Sequence, residues 1–236
     1  MAMVDLIGNR SMAAVHVDLW LWSLHATPSR LYEARQILSP DEIARAERFV
    51  RPADRDMYIA ARARLREILG METGRAACDL VFDYGPNGKP ALPGGPSFNL
   101  SHSGGLAALA VCADGAPGID IERIRPIEDA VARRYFTAEE YRQLSALPDH
   151  RWLDGFYRCW TRKEAVVKAV GLGLSMPLTA FDVTLTPNSP AHITRIDGQD
   201  ATNWTLLHLD PAQGFVGALA LQANRQPVEV NWRETL

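Results

Sequence analysis

A five-residue stretch, Gly118-Ile119-Asp120-Ile121-Glu122, restricts the folds open to this chain more than any other. Apolar and acidic residues alternate in it with the period of two that marks a strand buried on one face. Asp120 and Glu122 therefore leave the same side, with Cα atoms roughly 6.5–7 Å apart. Two carboxylates held this way repel each other unless positive charge sits beside them, and hard oxygen ligands of this kind suit Mg²⁺. A solvated sheet edge is the plain alternative for a lone D-x-E pair. A second acidic position, about forty residues on, shifts the balance.

That position falls in a helix predicted from about Arg151 to Val170 and closed by Gly171. Trp152, Phe156, Trp160, Val167 and Val170 share one broad side, flanked by Leu153 and Tyr157. Glu164 lies on this apolar half, and Lys168 follows one turn later on the same edge. A Glu–Lys pair at i,i+4 is an ordinary surface stabiliser worth a few tenths of a kcal/mol. It leaves the aromatic flanks unaccounted for, because a carboxylate against Trp and Tyr needs a partner. A metal shared with Asp120 and Glu122 supplies one.

Bulk numbers bound the rest. With 236 residues, 47% hydrophobic and 22% charged, a soluble globular fold with a full core is expected, as one large domain or two modest ones. A net charge of −3 asks for neither nucleic acid nor an acidic membrane. Cys78, Cys112 and Cys159 are too few and too scattered for a disulfide framework or a zinc site. The opening MAMVDLIGNRSM lacks a basic start followed by an apolar run, and no apolar stretch is long enough to span a bilayer. The expected compartment is the reducing cytoplasm.

Residues 13–24 alternate as a first strand, with Val15, Val17, Leu19 and Leu21 on one side and Trp20 and Trp22 packing on the other; Thr27-Pro28-Ser29 breaks it. Ser39-Pro40-Asp41-Glu42 and Thr137-Ala138-Glu139-Glu140 are capping-box helix starts. A helix is predicted from about Asp54 to Leu69, with Gly70 as its stop. The arginines of this region are interleaved with acids, so most are expected to be solvated or in surface pairs. Leu80–Tyr84 reads as a strand, and Asn87-Gly88 is a turn that presents Lys89 beside a proline.

Phe98-Asn99-Leu100-Ser101-His102-Ser103-Gly104-Gly105 ends a strand with hydroxyl, imidazole and free backbone N–H groups together, an arrangement that can hold an oxyanion. Capping of the turn by the serines is the plain alternative. A serine hydrolase is disfavoured: G-x-S-x-G is absent, and adjacent Ser and His on one strand point to opposite faces. Three carboxylates for a hard cation, a lysine beside them, this Ser-His and Lys89 point to a phosphate-rich ligand. The chemistry they indicate is metal-assisted phosphoryl or phosphodiester transfer.

F-N-L-S-H-S-G (98–104), G-I-D-I-E (118–122) and W-T-R-K-E-A-V-V-K (160–168) resemble the three signature blocks of the 4′-phosphopantetheinyl transferases. Their order and spacing are similar to the larger, surfactin-synthetase-activating type rather than the short holo-acyl-carrier-protein synthase type. The resemblance implies transfer of the phosphopantetheine arm of coenzyme A to a serine of an apo acyl or peptidyl carrier protein, releasing 3′,5′-ADP. On that pattern Asp120, Glu122 and Glu164 bind Mg²⁺, with Glu122 not universal among members. Lys168 contacts the phosphates and Glu164, directly or through water, is the base for the carrier serine. Arg45, Lys89, Ser101 and His102 fall where the family contacts coenzyme A, His102 at the 3′-phosphate. Some relatives carry a basic residue where this chain has Glu42, whose carboxylate belongs to the capping box. Lys163 is in the motif too, but its wheel position assigns it to packing by its stem.

The implied fold is α/β (α+β), two similar subdomains related by a pseudo-twofold with the site between them. G-L-A-A-L-A-V (105–111) and G-F-V-G-A-L-A-L (214–221) are alike, and the boundary is expected near Asp114–Pro117, giving subdomains 1–114 and 115–236. Because both halves together supply a complete site, a monomer is expected. Two rival classes stand beside the transferase: a metal-dependent phosphohydrolase acting on coenzyme A or a nucleotide, and a non-catalytic coenzyme A or carrier-binding module. The second has no need of Glu164.

Overall fold

The computed structural model describes residues 13–187 and 189–233. The opening MAMVDLIGNRSM lies outside the described residues. Strand β1 (Val15–Ser23) leads into α1 (Pro28–Ile37), α2 (Pro40–Ala46) and the long α3 (Pro52–Thr73). The short β2 (Asp83–Tyr84) and β3 (Pro90–Ala91) form a hairpin, followed by β4 (Ser97–Ser103), β5 (Leu106–Cys112) and β6 (Gly118–Arg123). Then come α4 (Asp129–Tyr135), α5 (Ala138–Ser145), the long α6 (Asp149–Val170), β7 (Phe181–Val183), β8 (Ile193–Ile196), β9 (Trp204–Leu209), β10 (Phe215–Gln222) and β11 (Val228–Arg233).

Two sheets carry the fold, ordered β11-β1-β5-β4 and β6-β10-β9. Their facing sides share one apolar layer, with Val17, Leu19, Ala108 and Ala110 from the first and Ile119, Ile121, Leu219 and Leu221 from the second. The outer face of the first sheet packs Trp20, Trp22 and Leu109 under Leu65, Ile68 and Leu69 of α3. The outer face of the second packs Val216 and Ala218 under Cys159, Ala165 and Ala169 of α6. The central strands of both sheets are thus covered on both faces, so the period-two alternation of β6 separates two interiors rather than core from solvent. Ile119 and Ile121 enter the shared layer, while Asp120 faces α6.

The two halves repeat one plan. Helices α3 and α6 are each 22 residues long and each ends on a left-handed glycine, Gly74 (φ 64) and Gly171 (φ 80). Each is preceded by a short helix opened by a capping box whose glutamate is buried, Glu42 and Glu140. Each glutamate receives a buried cation from the long helix: Arg66 Nε lies 2.6 Å from Glu42 and Lys163 Nζ 2.9 Å from Glu140. Laid end to end, α3 and α6 put Arg66 and Lys163 at the same position. The likeness of 105–111 to 214–221 falls on β5 and β10, the middle strands of the two sets β1-β5-β4 and β6-β10-β9.

Several expectations are corrected. Helix α3 does not stop at Gly70 but runs to Thr73; Gly70 lies within it because a Cβ there would meet the Arg75 carbonyl at 2.8 Å. Most arginines of this region do lie at or near the surface, but Arg62 and Arg66 are exceptions: both are buried against Glu42, and both guanidinium groups lie over the Phe82 ring. Lys163 does more than pack by its stem, since its ammonium also reaches the carbonyls of Leu178 and Phe181 at 2.6 and 2.7 Å. Helices α1 and α4 occupy stretches with no predicted element, and the predicted 80–84 strand is confined to Asp83–Tyr84.

Candidate active site

The site forms where β4 meets β6, and that junction has an unusual construction. The strands are not joined by a backbone ladder. Instead β4 side chains at alternate positions accept the backbone N–H groups of β6: Asn99 Oδ1 from Ile119 (2.8 Å), Ser101 Oγ from Ile121 (3.3 Å) and Ser103 Oγ from Arg123 (3.1 Å). A hydroxyl has one proton to give. Ser101 gives its proton to Asp120 Oδ1 (2.9 Å) and Ser103 to Glu122 Oε2 (2.6 Å). The serines therefore join the two sheets and aim the two acids with the same atoms. N-x-S-x-S over 99–103 was the available signal, legible only once the partner strand at a constant spacing was known.

Helix α6 closes the other wall. Gly118 admits it: a Cβ there would lie 2.0 Å from the Ala165 carbonyl oxygen and 2.3 Å from the Ala169 nitrogen, so only glycine lets helix and strand approach this closely. The approach brings Lys168 Nζ to 2.6 Å from Asp120 Oδ1 and 3.0 Å from Ser101 Oγ. Lys89 Nζ donates to the Lys168 carbonyl (2.6 Å) and Asn87 Nδ2 to that of Gly171 (3.2 Å), so the β2–β3 turn is fastened to the C-terminal end of α6.

Two adjoining cavities result. The inner one, about 320 Å³, is lined by Leu100, Ser101, His102, Asp120, Glu122, Trp160, Glu164 and Lys168. The outer cleft, about 820 Å³, shares His102, Trp160, Glu164 and Lys168 and extends past Lys89 to Arg45, Arg62, Tyr58 and Tyr84. All eight residues singled out in the sequence thus face these cavities: Arg45 and Lys89 the outer, Ser101, Asp120 and Glu122 the inner, and His102, Glu164 and Lys168 both. Arg62 and Tyr84 were missed. Arg62 Nη2 donates to the Tyr84 hydroxyl at 3.1 Å while its Nε holds Glu42 at 2.7 Å, which sets a buried guanidinium into the cleft wall.

Electrostatics set the inner cavity apart. Burial raises the Asp120 carboxyl above its ordinary range despite Lys168 and Ser101. Burial also raises Glu122 and Glu164, and repulsion from Asp120 adds to both. His102 is lowered by burial and by Lys168, and Lys89 likewise. Asp120 Oδ2 is buried without a hydrogen-bond partner. An orphaned carboxylate oxygen among three acids served by one ammonium fits a hard divalent cation. Among the described residues no three acid, imidazole or thiol side chains stand close enough, as placed, to hold a metal ion; Asp120, Glu122 and Glu164 face a common space.

Residues 116–220 match the family model described as the 4′-phosphopantetheinyl transferase superfamily. Over 220 residues the chain is 40% identical to the 4′-phosphopantetheinyl transferase HetI of a Nostoc species, covering 90% of each. It is 33% identical over 204 residues to psf-1 of Bacillus pumilus, covering 85% of this chain and 87% of that protein. With Sfp of Bacillus subtilis the identity is 32% over 178 residues, 74% and 78% of the two chains.

Proposed function

The chain belongs to the 4′-phosphopantetheinyl transferase superfamily, and on that premise we propose how its two cavities move the phosphopantetheine arm of coenzyme A onto a serine of an apo carrier protein. The observation that carries the reading is the inner cavity: three carboxylates with raised proton affinity, one of them half-satisfied, beside Lys168 and continuous with a basic-rimmed cleft.

Coenzyme A lies across both cavities with its pyrophosphate at the inner one. Asp120, Glu122 and Glu164 are the residues that would hold Mg²⁺ there, and such an ion would supply the positive charge that phosphoryl transfer needs. Lys168 Nζ, already on the Asp120 oxygen, lies within reach of the same phosphates. His102, kept neutral by its surroundings, offers a ring N–H to the 3′-phosphate, with Arg45 and Lys89 adding charge along the cleft. Ser101 spends its proton on Asp120, so its part at coenzyme A is to hold that acid and Lys168. Glu164, whose proton affinity is raised by burial and by Asp120, takes the proton of the carrier serine directly or through a water. The serine oxygen then bonds to the phosphorus bearing pantetheine, the bond from that phosphorus to the bridging oxygen breaks, and 3′,5′-ADP leaves with the electron pair.

Both halves line the site, so a monomer is the working unit. The proposed place of action is the cytoplasm, on carrier proteins; the described residues contain no helix long and apolar enough to cross a membrane. The test is mass spectrometry of an apo acyl or peptidyl carrier protein incubated with this protein, coenzyme A and Mg²⁺. A phosphopantetheinyl mass gain matched by 3′,5′-ADP is expected. 3′,5′-ADP without the gain would make the protein a hydrolase of coenzyme A, and no product at all would make it a binding module.

A further inference from the structure

Away from the active site, α6 carries a second group of charges between the helix and the second sheet. Arg162 is wholly buried. Its Nη1 donates to the Thr184 carbonyl and, at 3.1 Å, to the Thr184 hydroxyl, whereas Nε and Nη2 are buried with no partner. One turn earlier lies Arg158, whose Nε holds Asp154 at 2.9 Å, and Asp154 is shared with Arg151 at 3.9 Å. Arg162 has no carboxylate partner of its own among the described residues.

His208 of β9 belongs to the same layer. It stands opposite Ala218 in the sheet register, on the face that sends Leu206 and Ala218 under α6. Its Nε2 lies 3.1 Å from Asp210, while Nδ1 is buried and unpartnered. Burial and the fields of Arg158 and Arg162 lower its proton affinity, against the opposing effect of Asp210. The unused donors are therefore both on Arg162; with its Nε2–H given to Asp210, the His208 ring turns an acceptor, Nδ1, to the interior. The thiol of Cys159 supplies no countercharge, because burial keeps it protonated.

Water could fill the missing hydrogen bonds but could not neutralise the charge, and a buried cation without a counterion is strongly unfavourable. The first half fills the matching places with apolar side chains. With α3 and α6 laid end to end, Ala61 stands where α6 has Arg158, and Leu65 stands where it has Arg162; both are buried in an apolar cluster. We infer that Arg162, with Arg158 one turn earlier, binds a small inorganic anion between α6 and the second sheet, a site separate from the coenzyme A cleft. No lining residue of either active-site cavity belongs to this group. Anion occupancy would brace the helix whose other side presents Glu164 and Lys168.

The test is thermal unfolding of the full chain at constant ionic strength, with gluconate exchanged stepwise for chloride, bromide or inorganic phosphate. Expected is a saturable rise of several degrees in Tm with at least one of the three, as a ligand bound only by the folded state produces. Arg162→Leu and Arg158→Ala restore the first-half residues and so should fold; each should remove that rise. A bromide anomalous peak touching Arg162 in crystals would give the same answer directly. No saturable response in the natural protein, or an equal one in Arg162→Leu, would overturn the site and leave ordered water as the partner of Arg162.

Discussion

Asp120 works against the fold that holds it. Asp120, Glu122 and Glu164 all bind their protons more tightly in the folded chain than free carboxyls do, chiefly through burial. The folded state therefore carries more protons than the unfolded state in the range above the ordinary carboxylate pKa, about 4. Stability with EDTA present should accordingly decline as pH rises from that range and recover as pH falls. Asparagine at 120 keeps the shape and removes the charge. We expect Asp120→Asn to unfold no earlier than the natural protein, with a shallower pH dependence, while transfer falls by at least about a hundredfold. A drop of several degrees in Tm would instead make the carboxylate a structural partner of Lys168. Glu164→Asp separates ligand from base. Withdrawing the carboxylate by one methylene displaces the proton acceptor, and about 1 Å of misplacement can cost around a hundredfold in rate. Calorimetry should find Mg²⁺–coenzyme A binding within several-fold of the natural protein, and single-turnover transfer far slower. Equal losses in binding and rate would reduce Glu164 to a ligand.

Strands and helices place these residues through contacts that the sequence reveals unevenly. The alternation in 118–122 and the left-handed stop at Gly171 were legible because each depends on local geometry alone. The seam between β4 and β6 was not, since Asn99 and Ser103 read equally well as turn polars until their partner strand is known. Asn99→Ala removes the acceptor of the Ile119 N–H and leaves a buried donor unpaired, a loss of about 1–3 kcal/mol. Ser103→Ala frees Glu122 as well, and should raise the Mg²⁺ concentration needed for half-maximal transfer more than it lowers Tm. An unchanged Mg²⁺ requirement would show that the seam does not aim Glu122. The buried Glu42 pairs were hidden for another reason: the capping box accounts for that glutamate locally, and nothing nearby announces that Arg62 and Arg66 converge on it from α3. Removing it strands two buried cations, so Glu42→Ala should cost at least about 3–5 kcal/mol in denaturant unfolding. A milder loss would mean that water reaches the guanidinium groups.

Across the whole molecule, the repeat explains why one chain has one such site. In the paired registers β1–β5 and β6–β10, Trp20 and Trp22 occupy the places that Asp120 and Glu122 occupy in the second half. On the long helices Met71 stands for Lys168. The first half therefore keeps only Glu67 of the four charged groups, and its indoles fill the space under α3. What it contributes is the far side of the junction: Asn99, Ser101 and Ser103 as seam, and Arg45, Lys89 and His102 as cleft wall. The second half returns the connection by sending β11 back to lie parallel to β1, with Val15 against Val228 and Trp20 against Arg233. A division into 1–114 and 115–236, which we propose as the unit boundary, thus cuts through the site, the seam and the first sheet together, and it bares the apolar layer between the sheets. Separately produced pieces split in the 114–117 loop should each fail to transfer phosphopantetheine. Mixing them should restore transfer with a dependence on piece concentration that the intact chain lacks. Should 115–236 alone transfer at a rate near that of the whole protein, the first half would be dispensable and the shared site would be wrong.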